Sequence, residues 1–181
     1  RDPAAAASTN QLSANYPEAE EVIRLTGPWK VTFDASQRGP AEPVQFDTLK
    51  DWTTSSDPRI KYYSGTAVYT IPLELDQPSA EDHLFLDLGR VTAMARVTLN
   101  GHPAGGIWTA PYRCDITRLV KQGTNEVTIE VVNTWVNRLI GDQYLPENER
   151  ATWCTVNPYK ATSPLQPSGL MGPVKLLRIP Y

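Results

Sequence analysis

Apolar side chains recur at every second position over much of this chain. In "GPWKVTFD", Trp29, Val31 and Phe33 fall on one side, and Lys30, Thr32 and Asp34 on the other. "GTAVYTIPL" (65–73) is rich in Thr, Val, Tyr and Ile. "HLFLDLG" (83–89) sets Leu84, Leu86 and Leu88 against Phe85 and Asp87. "ARVTLNG" (95–101) aligns Ala95, Val97 and Leu99, and "NEVTIEVVN" (125–133) aligns Val127, Ile129 and Val131. "GPVKLLRI" (172–179) closes the series. Side chains of a strand alternate between its two faces, so this period predicts sheets with one buried face.

The intervening segments agree. Asn100–Gly101 is the favoured pair for a tight hairpin. Sixteen prolines and eleven glycines stop helices and suit long loops. One short helix is expected, capped by Asp115, with Ile116, Leu119 and Val120 on one stripe and Gly123 ending it. The count is seven to nine strands, few helices and one long loop from about 138 to 167. The expected fold is all-β: an antiparallel β-sandwich. Residues 1–15, rich in Ala, Ser and Asn, read as a tail or linker, and 16–181 as the sandwich. The long loop carries Tyr144, Trp153 and Tyr159 besides four prolines, so it is expected to be ordered.

The 181 residues suit one domain with a sizeable core. Formal net charge is −3, from 17 basic and 20 acidic residues, well mixed. That argues against nucleic acid as a partner. No apolar run approaches the roughly 20 residues that span a bilayer, so no membrane partner is expected. No signal-peptide pattern opens the chain, which reads as a mature or excised form. Cys114 and Cys154 make no disulfide framework and read as two partly buried thiols; their pairing stays open. His83 and His102 stand alone, without zinc or EF-hand spacing.

An ordered set of segments carries a family likeness: "LTGPWKVTFD", "YYSGTAVYTIPL", "LFLDLGRVTAMARVTLNGHPAGGIWTAPYRCDIT", "GTNEVTIEVVNTWVNRLIGD" and "PSGLMGPVKL". Over about residues 20–181 they resemble the sugar-binding-like jelly roll of family 2 glycoside hydrolases. The look is closest to the C-terminal β-sandwich of the bacterial α-L-rhamnosidases of glycoside hydrolase family 106. The resemblance implies a galactose-binding-like jelly roll from a larger, secreted or periplasmic, saccharide-degrading enzyme. The hydrolytic carboxylates of such enzymes sit on a separate barrel, so the likeness argues against catalysis by this chain alone. It implies two partners, a poly- or oligosaccharide and the parent enzyme's catalytic domain. No cofactor is required; jelly rolls of this class often carry a structural calcium, to which the sequence assigns no ligands.

Glycoside hydrolysis needs two carboxyls facing each other across a sugar. Asp142, Glu147 and Glu149 in the long loop, and Glu18, Glu20 and Glu21 near the start, show no spacing that singles out a pair. Sugar binding needs an exposed aromatic platform beside planar hydrogen-bonding groups. "GIWTAPYR" (106–113) supplies Trp108, Tyr112 and Arg113. "NTWVNRLIGDQY" (133–144) supplies Trp135, Asn137, Arg138, Asp142 and Tyr144. In family 2 enzymes a loop before the "SG" motif helps form the active site of the neighbouring barrel. The matching region here is about 141–160, which implies that Asp142, Tyr144 and Trp153 face a sugar only when the barrel is present.

Plainer readings stand beside these. Trp29 belongs to the core, and Trp52 plugs a sheet end. Trp135 alternates with Val131 and Asn133 and is expected to continue the inward face. Asn133 and Asn137 are suited to holding turns, and Arg138 and Asp142, four apart, to pairing at the surface. Trp108 is the better platform candidate. Gly169 and Gly172 supply turn geometry before the last strand.

Overall fold

A computed structural model describes residues 18–76 and 83–179; the expected tail at 1–15 lies outside them. Twelve strands are found among the described residues: β1 Glu20–Leu25, β2 Trp29–Phe33, β3 Val44–Phe46, β4 Thr66–Leu75, β5 His83–Asp87, β6 Arg90–Thr92, β7 Met94–Leu99, β8 His102–Ile107, β9 Arg113–Asp115, β10 Gly123–Val132, β11 Gly169–Gly172 and β12 Val174–Ile179. Six form a sheet in the order β3-β2-β4-β10-β7-β8, and four a second sheet in the order β1-β12-β5-β9. β11 and β6 pair separately. All these pairings are antiparallel. The expected antiparallel all-β fold is therefore the observed one. The strand count exceeds expectation because β3, β6 and β9 are three residues long, too short for an alternation to register.

The inward faces are those the alternation predicts. Trp29, Val31 and Phe33 of β2 meet Ala67, Tyr69, Ile71 and Leu73 of β4 and Val127, Ile129 and Val131 of β10 in one core. Leu84, Leu86, Val174 and Leu176 supply the facing sheet. Asn100 and Gly101 turn β7 into β8 with φ of 51° and 79°, the left-handed pair such a hairpin needs.

The helix expected after Asp115 is a single turn. The Asp115 carboxylate does accept from the Thr117 amide, and Leu119 and Val120 both return their amides to the Ile116 carbonyl. The turn goes no further because Asn125, on β10, accepts from the Lys121 amide and donates to the Lys121 carbonyl, drawing the chain into the strand. One turn fixes several dihedrals for few bonds and does not propagate by itself. The helices lie elsewhere: α1, Pro58–Lys61, begins with Pro58 behind an Asp57 cap, and α2, Val136–Gly141, follows β10.

An aromatic nest closes the end of the six-stranded sheet beneath α2. Phe33, Trp52 and Tyr63 meet edge-on at 4.9–5.5 Å between ring centroids. Trp52 is fully buried and its indole N–H donates to the Tyr69 hydroxyl at 2.6 Å. Gly169 lies directly against that indole: a Cβ there would stand 2.4 Å from Trp52 Nε1. The glycines before the last strand thus serve close packing besides the left-handed turn expected of them.

Candidate functional site

The segment 133–144 leaves β10 through Asn133, which is buried. The Asn133 side chain accepts from the Gly65 amide and donates to the Tyr63 carbonyl and the Ser168 hydroxyl. Asn137, on the first turn of α2, accepts from the Gln166 amide and donates to the Gln166 carbonyl and to Ser168 Oγ. The two asparagines clamp the end of β10, the start of α2 and the return of the long loop to one hydroxyl. Fully satisfied buried amides of this kind specify a unique backbone path.

Arg138, on α2, and Asp142, the residue that caps the C-terminus of that helix, face each other one turn apart at 3.0 Å. They are not the surface pair expected, because both side chains are buried, Asp142 completely. The Asp142 carboxylate also collects the amides of Ala151 and Thr152 and the Thr152 hydroxyl, at 2.7–2.9 Å. Its carboxylate is therefore the inner anchor of the loop rather than a group turned to solvent. Burial lowers the basicity of the Arg138 guanidinium, Asp142 opposes that, and the nearby Arg38 cation adds to it.

From this base the chain from 145 to 168 makes its ordered excursion without a strand. The Tyr144 hydroxyl donates to the Ala161 carbonyl at 2.7 Å. Asn157 Nδ2 donates to the Leu139 carbonyl, and Arg38 reaches across to the Glu149 carbonyl. Large aromatic side chains stand exposed around these anchors. Trp153 is 88% exposed, Tyr144 61% and Trp135 54%. Trp135 is thus not on the inward face: the strand alternation ends at Asn133, and the chain turns into helical dihedrals at Trp135 (φ −75°, ψ −6°).

Among the depressions that border this ridge, two lie against α2. A groove of about 310 Å³ is lined by Trp135, Leu139 and the 151–154 run that includes Trp153. On the other side of α2 a cleft of about 250 Å³ lies between Arg38, Arg59, Tyr62, Arg138 and Tyr144. Tyr62 and Tyr144 form its aromatic wall, their centroids 6.0 Å apart. Sequence reasoning missed Arg38, which closes a 3₁₀ turn after β2, and Arg59 and Tyr62, on α1 and at its C-terminal cap, all remote in sequence from α2.

The other expected platform stands apart. Trp108 is 69% exposed just after β8, but it lines neither depression. Tyr112 is half-buried against the core, and Arg113 pairs with Asp87 at 2.7 Å. The acidic residues do not converge on one sugar. Glu20 and Glu21 sit on β1 in ion pairs, Glu147 and Glu149 are exposed on a 3₁₀ turn, and Asp142 is buried. Among the described residues no three His, Cys, Asp or Glu side chains come together to hold a metal. Cys114 and Cys154 are free and do not pair; Cys114 is buried and Cys154 exposed, where two partly buried thiols were expected.

With the geometry in place, the likeness to known proteins is specific. The profile of the family described as "Glycosyl hydrolase 2 galactose-binding domain-like" matches residues 52–162, from the buried Trp52 through the excursion. A candidate beta-glucuronidase of Formosa agariphila is 37% identical over 91% of this chain and 16% of its own length. The structure of a rhamnosidase from Novosphingobium sp. PP1Y superposes with a TM-score of 0.84 at 40% identity, over 92% of this chain and 16% of that one. A β-glucuronidase from Ruminococcus gnavus shares the fold, at 19% identity, over 93% of this chain and 30% of that one, with a TM-score of 0.63. The chain spans about one sixth of the length of the first two.

Proposed function

We propose, from the premise that this chain belongs to the Glycosyl hydrolase 2 galactose-binding domain-like family, that it is the non-catalytic accessory jelly roll of a larger saccharide-degrading hydrolase. Its role is to present the segment of about 141–160, which includes the outer part of the ordered excursion, to a saccharide at the edge of the parent enzyme's substrate cleft. The parent enzyme is a bacterial α-L-rhamnosidase of glycoside hydrolase family 106, working outside the cytoplasm, with this jelly roll toward its C-terminal end. The 40% identity to a rhamnosidase over one sixth of that chain supports this reading.

One observation carries the sugar-facing role: Trp135 and Trp153 stand exposed around one groove, on a backbone anchored from beneath by Asp142. A flat indole held out on a rigid support is what the C–H face of a pyranose stacks on, and exposed clusters of large apolar side chains mark interaction sites. Trp108, Tyr112 and Arg113 form a second, separate candidate platform.

The test is calorimetry of the chain with rhamnose-containing oligosaccharides and polysaccharides, with and without calcium. Saturable heat that disappears in a folded Trp153→Ala variant is the expected result. Its absence with every glycan refutes direct binding by the isolated domain. A second reading then gains weight, in which the ridge packs on the catalytic domain. Val156, 78% exposed beside Trp153, favours it.

A further inference from the structure

The cleft on the far side of α2 differs from the indole groove in its charge. Arg38, Arg59 and Arg138 all line it. Two of the three already have a counter-ion: Arg59 pairs with Asp57 at 2.7 Å and Arg138 with Asp142 at 3.0 Å. Arg38 does not. Among the described residues no carboxylate lies within ion-pair distance of it. Among the described residues its one hydrogen bond, to the Glu149 carbonyl, uses a single N–H of the fork. The cleft therefore holds one positive charge in excess, close enough to Arg138 to disfavour the protonated form of that buried guanidinium.

The backbone under Arg38 is also unusual. It closes a 3₁₀ turn, Ala35–Gln37, with φ +63° and ψ +24°. Glycine or asparagine is the common choice at such a left-handed cap. The Tyr62 and Tyr144 rings wall the same cleft. Its volume of about 250 Å³ is suited to a single sugar ring rather than a chain.

We propose that this cleft is a binding site for an acidic sugar residue, the oxyanion held by the guanidinium of Arg38 with that of Arg138 behind it, and the ring lying against Tyr62 and Tyr144. A guanidinium fork matches carboxylate and sulfate oxygens equally well, so the anion is the carboxylate of a uronic acid or a sulfate ester. The sugar half of the proposal rests on the saccharide reading above, and the anion half stands on the cleft alone.

The experiment is NMR titration of the chain with four probes: methyl glucuronide, glucose 6-sulfate, methyl glucoside and sodium sulfate. At least one acidic sugar should bind at least tenfold more tightly than methyl glucoside, with affinity falling as NaCl rises. The stronger of the two acidic probes identifies the anion. Arg38→Gln should abolish the preference, Arg38→Lys should retain part of it, and Trp153→Ala should leave it intact. Loss of glycan binding in Trp153→Ala with the preference retained separates this site from the indole groove. Equal binding of acidic and neutral sugars overturns the proposal. So does an unchanged preference in Arg38→Gln, or sodium sulfate binding as tightly as the sulfated sugar.

Discussion

Replacing Asp142 by alanine tests whether the excursion is anchored as the geometry requires. The carboxylate is fully buried and serves four partners: Arg138, the Ala151 and Thr152 amides, and the Thr152 hydroxyl. Its loss leaves the Arg138 guanidinium buried without a counter-charge, which costs about 3–5 kcal/mol. That is a large share of the roughly 5–15 kcal/mol by which domains are stable. At about 2–4 °C per kcal/mol for a chain of this size, Tm should fall by roughly 6–20 °C. The double variant Arg138→Met with Asp142→Leu removes both charges and refills the space with apolar atoms, which is often close to neutral for a buried pair. It should recover much of the loss, though not the part due to the Ala151 and Thr152 amides. The assay is urea unfolding followed by circular dichroism on the wild type, Arg138→Met, Asp142→Leu and their double variant, with Asp142→Ala measured beside them and hydrogen exchange of the Ala151 and Thr152 amides as a local readout. A coupling energy above about 1 kcal/mol is expected. Additive single variants, or an Asp142→Ala cost below about 1 kcal/mol as for a solvent-screened pair, would refute the buried anchor.

Gly169→Ala meets both a left-handed backbone (φ +96°) and the Trp52 indole at 2.4 Å. Overpacking and the strained dihedral together should cost about 2–4 kcal/mol in urea unfolding. In the folded chain iodoacetamide should modify Cys154 alone, as read by mass spectrometry, because Cys114 is buried and its thiol is pushed up to about 12 by burial, with the neighbouring Asp115 adding to it. Glu21 accepts hydrogen bonds from Arg24 and, across the sheet, from Lys175, which hold its carboxyl at about 2, below the ordinary 4.5. Its contribution is present above pH 4.5 and is lost as pH falls through 2. Glu21→Gln should therefore flatten the acid limb of the stability curve between those values, by a small amount because the group is at the surface; an unchanged slope would contradict the pairing.

The sandwich was legible because its two central strands bury one full face each. β4 and β10 pair over ten residues, Thr66–Leu75 against Gly123–Val132. Every second side chain along them is committed to the core. Such a stretch leaves no register ambiguity, since a one-residue slip would turn the whole apolar set outward. The same logic failed where the chain stopped being a strand. Trp135 was counted onward from Val131 in steps of two, but Asn133 ends the ladder by bonding to Gly65 and Tyr63, and the next residues wind into α2. Nothing in the alternation signals that change of period until after Trp135.

The polar residues of "NTWVNRLIGDQY" were legible as chemistry but not as placement. Asn, Arg and Asp at a strand end are equally suited to a ligand and to the protein's own orphaned backbone groups. The deciding quantity is burial, which depends on partners remote in sequence: Ser168 for the asparagines, Ala151 and Thr152 for Asp142. Once these inner groups are occupied, the surface left for a ligand is what they hold up: Trp135 and Trp153 on one side, Tyr144 and the arginines on the other. Arg38 belongs to that surface although no motif marks it. It arrives by a left-handed turn after β2 and meets α2 only in the folded chain. The division of labour explains why a local reading could offer Asn137 both to a ligand and to a turn, and why it placed Asp142 at the rim rather than beneath the loop. In this fold the buried polar side chains determine where the loop goes, and the exposed aromatic and cationic ones determine what it can touch.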